Sequence, residues 1–367
     1  MHRLVRAIPL IALAAFFTSA IVATASPITP QEQKLIRAAK KEGAVTLLNP
    51  LFSDGTATKM GPAFIKRYGL GSDFKFQNVR KRTGDVIGTA RAEMKAGKYS
   101  FDTFVVINPG FFAAATKRGY FSKLDLGQWK YHVKAVERAG QYHHYPEVPV
   151  VLAYTFQPVW NTACPGMKDV KVASYWDTVR PEFKGKTIVS RIPVSTSYTL
   201  TTLGMQESGF DLFGFWKKLK ATDPVVEART EPKMQMLIAC ERGMDMWNMA
   251  GRVFQNVKKK PSLAKVLRVG SYKEGQVMLG NQAAVPKGAP HPNAGKLFLD
   301  FLLSKEGADI FVGGEAVYTF REGYTAPAHV RPYLLDLSKT KLLGLKDWLG
   351  ASKKVKGIRG KWKNQFK

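Results

Sequence analysis

VPKGAPHPNAGKLFLDFLLSKEG, residues Val285 to Gly307, is the stretch from which the rest of the chain is read. Gly288, Pro290 and Pro292 make a stiff turn. Pro292 suits the first turn of a helix, where its missing N–H is no loss, and Asn293 is a rival N-cap. Leu297, Phe298, Phe301 and Leu302 then fall on one helical stripe. Lys305 sits in the expected last turn and Gly307 is the expected C-cap. Ala283-Ala284-Val285 carries a short strand signal, so the unit reads as strand, rigid turn and amphipathic helix.

The same alternation runs through the N-terminal part. Thr29-Pro30-Gln31-Glu32 opens a capped helix that closes at Lys40-Lys41-Glu42-Gly43. Ala44 to Leu48 is a strand, Asn49 to Ala57 a polar turn, and a helix follows over 60–68. Phe74 to Val79 is the next strand, Asp85 to Ala96 the next helix, and Thr103 to Ile107 a short, apolar, β-branched strand of the buried kind. Asn108-Pro109-Gly110 then leads into a helix through Lys117. Repeated strand–helix order of this sort makes an α/β fold with a mainly parallel sheet and helices on both faces. It also puts each strand-to-helix loop at a strand's carboxyl end, where open α/β sheets bind ligands.

At 367 residues the chain is long enough for two domains, and at 45% hydrophobic it can build real cores. The formal charge is +28; without Arg3 and Arg6 it is about +26. Basic residues are spread along the chain, with one denser patch: Lys339 to Lys367 holds ten Lys/Arg against Asp347 alone. Residues 1–25 have the parts of a secretory signal peptide: Arg3 and Arg6, an apolar run from Ile8 to Val22, and an Ala23-Thr24-Ala25 cleavage site. Export into the periplasm is expected, with cleavage near Ala25. Cys164 and Cys240 match no zinc spacing; in an oxidising compartment they can pair, and two separate buried thiols are the alternative.

Several segments together resemble a known family. The proline-histidine-proline-asparagine turn before a helix ending in LLSKEG, the start AAKKEGAVTLL, the run AEMKAGKYSFDTFVV and the RPEFKGK strand entry at Arg180–Lys186 are similar to periplasmic solute-binding proteins of ABC importers. The branch is the one with ferric-ion, thiamine, polyamine and phosphonate binders. The resemblance spans about residues 31–325. It implies a two-lobed periplasmic-binding-protein-like fold of type II, each lobe a mainly parallel sheet flanked by helices. Val148–Phe156 and Gln276–Val285 would be the two hinge crossovers. Lobe one would hold 27–152 and 280–367, the latter with the basic C-terminal tail, and lobe two 153–279. It also implies a small-molecule ligand held between the lobes by hinge closure, and an inner-membrane ABC permease as partner for a protein acting as a monomer.

Read for chemistry, Ser195-Thr196-Ser197-Tyr198 is a hydroxyl cluster opening a helix, an arrangement that either caps the helix or binds an anion. Arg191 lies close by as a bidentate partner for a carboxylate or phosphate. Trp247, Asn248 and Arg252 offer an aromatic face, an amide and a guanidinium for a small polar ligand. Ser53 and Asp54 in the first loop, Asn108 and Gly110 in the third, and Tyr272 and Lys273 before the second crossover complete the candidate ligand set. The ferric binders' tyrosine pair is missing near Trp247-Asn248, so no metal and no cofactor is expected, and iron(III) is the alternative within the family. His143-His144 are neighbours whose side chains would face opposite ways on a strand.

The chain has no G-x-S-x-G elbow, no H-E-x-x-H and no phosphate-binding G-x-x-x-x-G-K-[ST] loop, so a binding protein is expected and not an enzyme; an exported hydrolase is the alternative. No nucleic-acid module is recognisable, and nucleic acid is not expected as a partner. The expected solute is a small organic anion or zwitterion.

Overall fold

The computed structural model describes residues 26–366. The expected leader, 1–25, lies outside the described residues.

In chain order the first half runs α1 (Pro30–Glu42), β1 (Ala44–Asn49), α2 (Asp54–Tyr68), β2 (Lys75–Arg80), α3 (Thr83–Ala96), β3 (Thr103–Val106), α4 (Pro109–Lys117), α5 (Val133–Arg138), β4 (Val150–Tyr154), β5 (Gln157–Asn161), β6 (Thr187–Ser190) and α6 (Thr196–Glu207). It continues α7 (Leu212–Ala221), β7 (Val225–Glu227), α8 (Thr230–Ile238), β8 (Met244–Asn248), α9 (Ala250–Lys259), β9 (Leu267–Val269), β10 (Gln276–Val277), β11 (Leu279–Ala284), α10 (Pro292–Leu303), α11 (Lys305–Glu315), β12 (Leu342–Leu343) and α12 (Trp348–Gln365).

Two five-stranded sheets result, ordered β2-β1-β3-β11-β4 and β7-β6-β8-β5-β9. Each has one reversed strand. β11 is antiparallel to β3 and β4, and β5 is antiparallel to β8 and β9, while the other neighbours are parallel. The cause is the path of the chain: β5 arrives from the first sheet and β11 from the second, so each enters its new sheet against the prevailing direction. The stretch Val148–Phe156, expected as one strand, is broken; β4 ends at Tyr154, and Thr155-Phe156 separate it from β5.

The helix signals hold with two exceptions, both on α10. Thr29 and Glu32 form a capping box, and Gly43 ends α1 at φ 72°. The run Leu297, Phe298, Phe301, Leu302 is wholly buried and packs with Phe64 of α2. Gly307, however, is not a C-cap. The helix stops at Leu303, and the Ser304 hydroxyl accepts from Gly307 N to start α11, so Lys305 opens a second helix. A Cβ on Gly307 would fall 2.0 Å from Phe301 O, so this tight junction needs glycine. Nor is Asn293 an N-cap. The Glu42 carboxylate, from the end of α1, accepts from Asn293 N, Asn293 Nδ2 and Ala294 N and caps α10 from outside.

Cys164 and Cys240 are joined, S–S 2.03 Å with Cα atoms 5.2 Å apart, tying the end of β5 to the segment after α8. Denatured, unreduced protein is therefore expected to give no thiol in a colorimetric titration and two after reduction. Two thiols before reduction would contradict the bond.

Candidate functional site

β1, β2, β6, β7 and β8 all end on the side where the two sheets face each other, and a helix starts within a few residues of each end. There a cavity of about 940 Å³ opens between the lobes. Leu51, Asp54 and the run Arg80–Asp85 line it from the first lobe. Ser195, Ser197, Tyr198, the run Ala228–Pro232 and Arg252 line it from the second, with Tyr154 and Phe156 from the crossover.

The α6 start supplies neutral donors. Ser195 caps α6, its hydroxyl accepting from Tyr198 N at 3.4 Å. Ser197 Oγ lies 2.7 Å from Tyr154 Oη, and the Tyr198 ring leans on Phe156 with centroids 4.5 Å apart. Burial raises both tyrosine pKa values, so both phenols stay protonated and can donate. Thr196 is half-buried and outside the cavity lining.

The cations come from both lobes. Arg80 ends β2 and Lys81 and Arg82 follow it directly, while Arg229 precedes α8 and Arg252 lies in the first turn of α9. Against these five stand Asp54, Asp85 and Glu231, which leaves the lining electropositive. An ion pair joins the two sides of the cavity: Arg80 Nη2 to Glu231 Oε1, 2.9 Å. Burial alone would raise the Glu231 carboxyl, but Arg252 and Arg80 hold it down at about 2. The free N–H groups at the starts of α3, α6 and α8 add partial positive charge.

Other candidates sit elsewhere. Trp247 is 1% exposed and stacks behind Tyr198 at 6.1 Å, so it is packing beneath the cavity and not its aromatic wall. Asn248 is fully buried; its amide donates to Asp245 and Thr230 O and its carbonyl oxygen accepts from Met249 N. Tyr272 stacks on Tyr175 at 3.7 Å and donates to Met246 O, while Lys273 is exposed outside the cavity lining. Asn108 caps α4 through Phe111 N, and Gly110 faces Ser352 of α12, 2.8 Å from where a Cβ would stand. Ser53 donates both its N–H and its hydroxyl to Glu315. Arg191 is exposed outside the lining. Arg252 lines the cavity, but its guanidinium is already held by Glu231 at 3.3 Å, Glu315 at 3.5 Å and Gln255 at 2.6 Å. For Ser53, Asn108, Trp247 and Asn248, a polar or aromatic side chain near a strand end has been taken up by the protein's own backbone, carboxylates or core. His143 is half-buried beside the Trp129 ring, and His144 bridges back to Val148.

The sequence reading missed Arg80, Lys81, Arg82, Arg229, Glu231 and Tyr154. For the first three the signal was present, since they follow an expected strand at its carboxyl end. β7, which leads to Arg229, is three half-buried residues and leaves no periodicity to read. Among the described residues no group of three or more His, Cys, Asp or Glu side chains is placed to hold a metal ion. No helix among them is long and apolar enough to cross a membrane.

A family model described as bacterial extracellular solute-binding protein matches residues 63–333, which includes every cation and serine hydroxyl of the cavity; of the lining residues named here only Leu51 and Asp54 precede it. The chain belongs to this family. No curated protein sequence matches it. Solved structures match the fold of this solute-binding protein at low identity. Iron-bound HitA from Pseudomonas aeruginosa is 17% identical with a TM-score of 0.67, over 87% of this chain and 99% of that one. A substrate-binding protein of an ABC transporter from Agrobacterium tumefaciens gives 15% and 0.73, over 88% and 94%. AfuA from Actinobacillus pleuropneumoniae, with fructose-6-phosphate bound, gives 18% and 0.67, over 88% and 98%. The resemblance drawn from the sequence and the two-lobed fold are thus established for this chain.

Proposed function

We propose that this solute-binding protein captures a small organic anion, carrying a carboxylate or phosphate, in the interlobe cavity and hands it to an ABC permease. The observation that carries the reading is the convergence of Arg80, Lys81, Arg82 and Arg229 with three helix starts and the neutral hydroxyls of Ser195 and Ser197 around one cavity. A charged ligand there gains charge-assisted hydrogen bonds from both lobes and so favours their closure. Tyr154 and Phe156 offer an apolar floor for a carbon skeleton. The structural relative with fructose-6-phosphate bound is of this ligand type. The iron-bound relative suggests the alternative, which the described donor set does not favour.

In this reading the leader is cleaved near Ala25 and the mature protein works in the periplasm as a monomer. It binds without turnover and has no role with nucleic acid. The lobes are 27–152 with 280–367, and 153–279, hinged at the two crossovers.

A thermal-shift panel of sugar phosphates, phosphonates, dicarboxylates, polyamines and ferric citrate is expected to show stabilisation by an anion only. Arg80→Ala should weaken that binding about tenfold or more, the cost of one charge-assisted hydrogen bond. A response confined to polyamines or ferric ion would refute the ligand class, and consumption of the stabilising compound would point to a hydrolase.

A further inference from the structure

The family match ends at residue 333, and α12 lies beyond it. This helix does not sit on one lobe. Its first turns lie on the first: the Trp348 indole donates to Gly140 O at 2.6 Å, and Ser352 packs against Gly110 at the start of α4. Its later turns lie on the second. Arg359 Nε donates to Thr199 Oγ1 of α6 at 3.1 Å, and Lys354 pairs with Glu207 at the other end of α6. Trp362 meets Trp216 of α7 edge to face at 5.2 Å. Ala351, Ile358 and Trp362 are all buried, so the contact is continuous along one face of the helix.

α4 belongs to the first sheet's lobe and α6 to the second's, and α6 is the helix whose start carries the cavity hydroxyls. Any hinge motion that opens the cavity moves these two helices relative to each other. An unbroken helix of 18 residues, about 27 Å long at 1.5 Å per residue, cannot stay seated on both. We propose that α12 is a strap: it clamps the two lobes from outside the cavity, holds the ligand-free protein toward the closed arrangement, and must leave one lobe before the cavity opens fully. Ser352 and Gly110 mark the first-lobe hold, and Arg359 and Trp362 the second-lobe hold. The chain thereby carries, past the end of the family's matched span, its own setting of the open–closed equilibrium, and ligand entry is limited by release of α12.

The test needs no ligand, so it stands or fails apart from the ligand class. Spin labels at Lys95→Cys on α3 and Lys184→Cys before β6, both exposed and on different lobes, report the interlobe distance by pulsed electron resonance. In the otherwise wild-type chain a single narrow distribution is expected. In a chain ending at Lys346, and in Arg359→Ala/Trp362→Ala, the distribution is expected to move and broaden as the cavity opens. Should the shortened chain fail to fold, the double variant alone decides. Distributions that overlay the wild type in the folded variants would overturn the strap. So would a wild-type distribution that is already as broad as theirs.

Discussion

Lys233→Met is expected to cost the protein roughly 3–5 kcal/mol of stability, the usual result of stripping one partner from a buried ion pair. Lys233 and Asp245 are both wholly buried, with Nζ 3.0 Å from Oδ1. The ammonium also donates to Ser190 Oγ at 2.9 Å and to the Trp247 carbonyl, and it lies over the Tyr198 ring. Asp245 in turn accepts from Trp247 N and Asn248 Nδ2. Burial works against the charged lysine, but Asp245 and Tyr198 outweigh it and raise its pKa, so the ammonium stays charged beside the Asp245 carboxylate. Methionine fills the space and leaves Asp245 charged without its counter-charge. The double variant Lys233→Met/Asp245→Asn removes both charges and should regain more than half of the loss. Urea unfolding of the three proteins measures this. A single variant within about 1 kcal/mol of wild type, below the range for a broken buried pair, would show that the pair is not ionised as described.

That network explains why Trp247 and Asn248, chosen as ligand residues, lie buried beneath the cavity and outside its lining. Ser190 ends β6 and Trp247-Asn248 end β8, at the places where this fold binds ligands. The order of strands and helices was legible in the sequence, because hydrophobic period, caps and glycine turns are local signals. The side a residue faces at the end of a strand is not local. It depends on which buried partner claims it, here a lysine fourteen positions before Trp247. Asn108 and Ser53 follow the same rule: each was chosen for a polar atom that a neighbouring backbone or carboxylate already uses.

The basic character of the surface and cavity has a related cause. Several carboxylates are spent inside. Glu32 accepts from Tyr68, Arg67 and Gln128; Glu42 caps α10; Asp102 takes Thr46 N and His291 N; Asp300 takes Gly127 N and Gln128 N. With the chain's 28 acids partly withdrawn in this way, the 56 basic residues dominate both the surface and the cavity. Composition alone shows the imbalance but not that the acids face inward. The break between α10 and α11 was likewise hidden, since Ser304 looks no different in sequence from a serine inside a longer helix that ends at Gly307.

Glu315→Ala should be comparably costly, again roughly 3–5 kcal/mol, and should also loosen the two lobes. This carboxylate is 1% exposed at the end of α11. One oxygen accepts from Ser53 N, Ser53 Oγ and Thr56 Oγ1 at 2.6–2.7 Å, at the start of α2 in the first lobe. The other accepts from Gln255 Nε2 at 2.9 Å and lies 3.5 Å from Arg252 Nη1, both on α9 in the second lobe. The helices meet closely here, for a Cβ on Gly251 would fall 1.8 Å from Glu315 O. Removing the side chain orphans donors on both lobes at once and leaves Arg252 with only Glu231 as counter-charge. Glu315→Gln keeps the volume but turns one acceptor into a donor facing donors, so it should recover little. Both variants are therefore expected to show a lower urea midpoint and a broader interlobe spin-label distribution than wild type. If Glu315→Gln matched wild type in both measurements, the carboxylate charge would have no part in joining the lobes, and the contact of α9 with α11 would rest on packing at Gly251 alone.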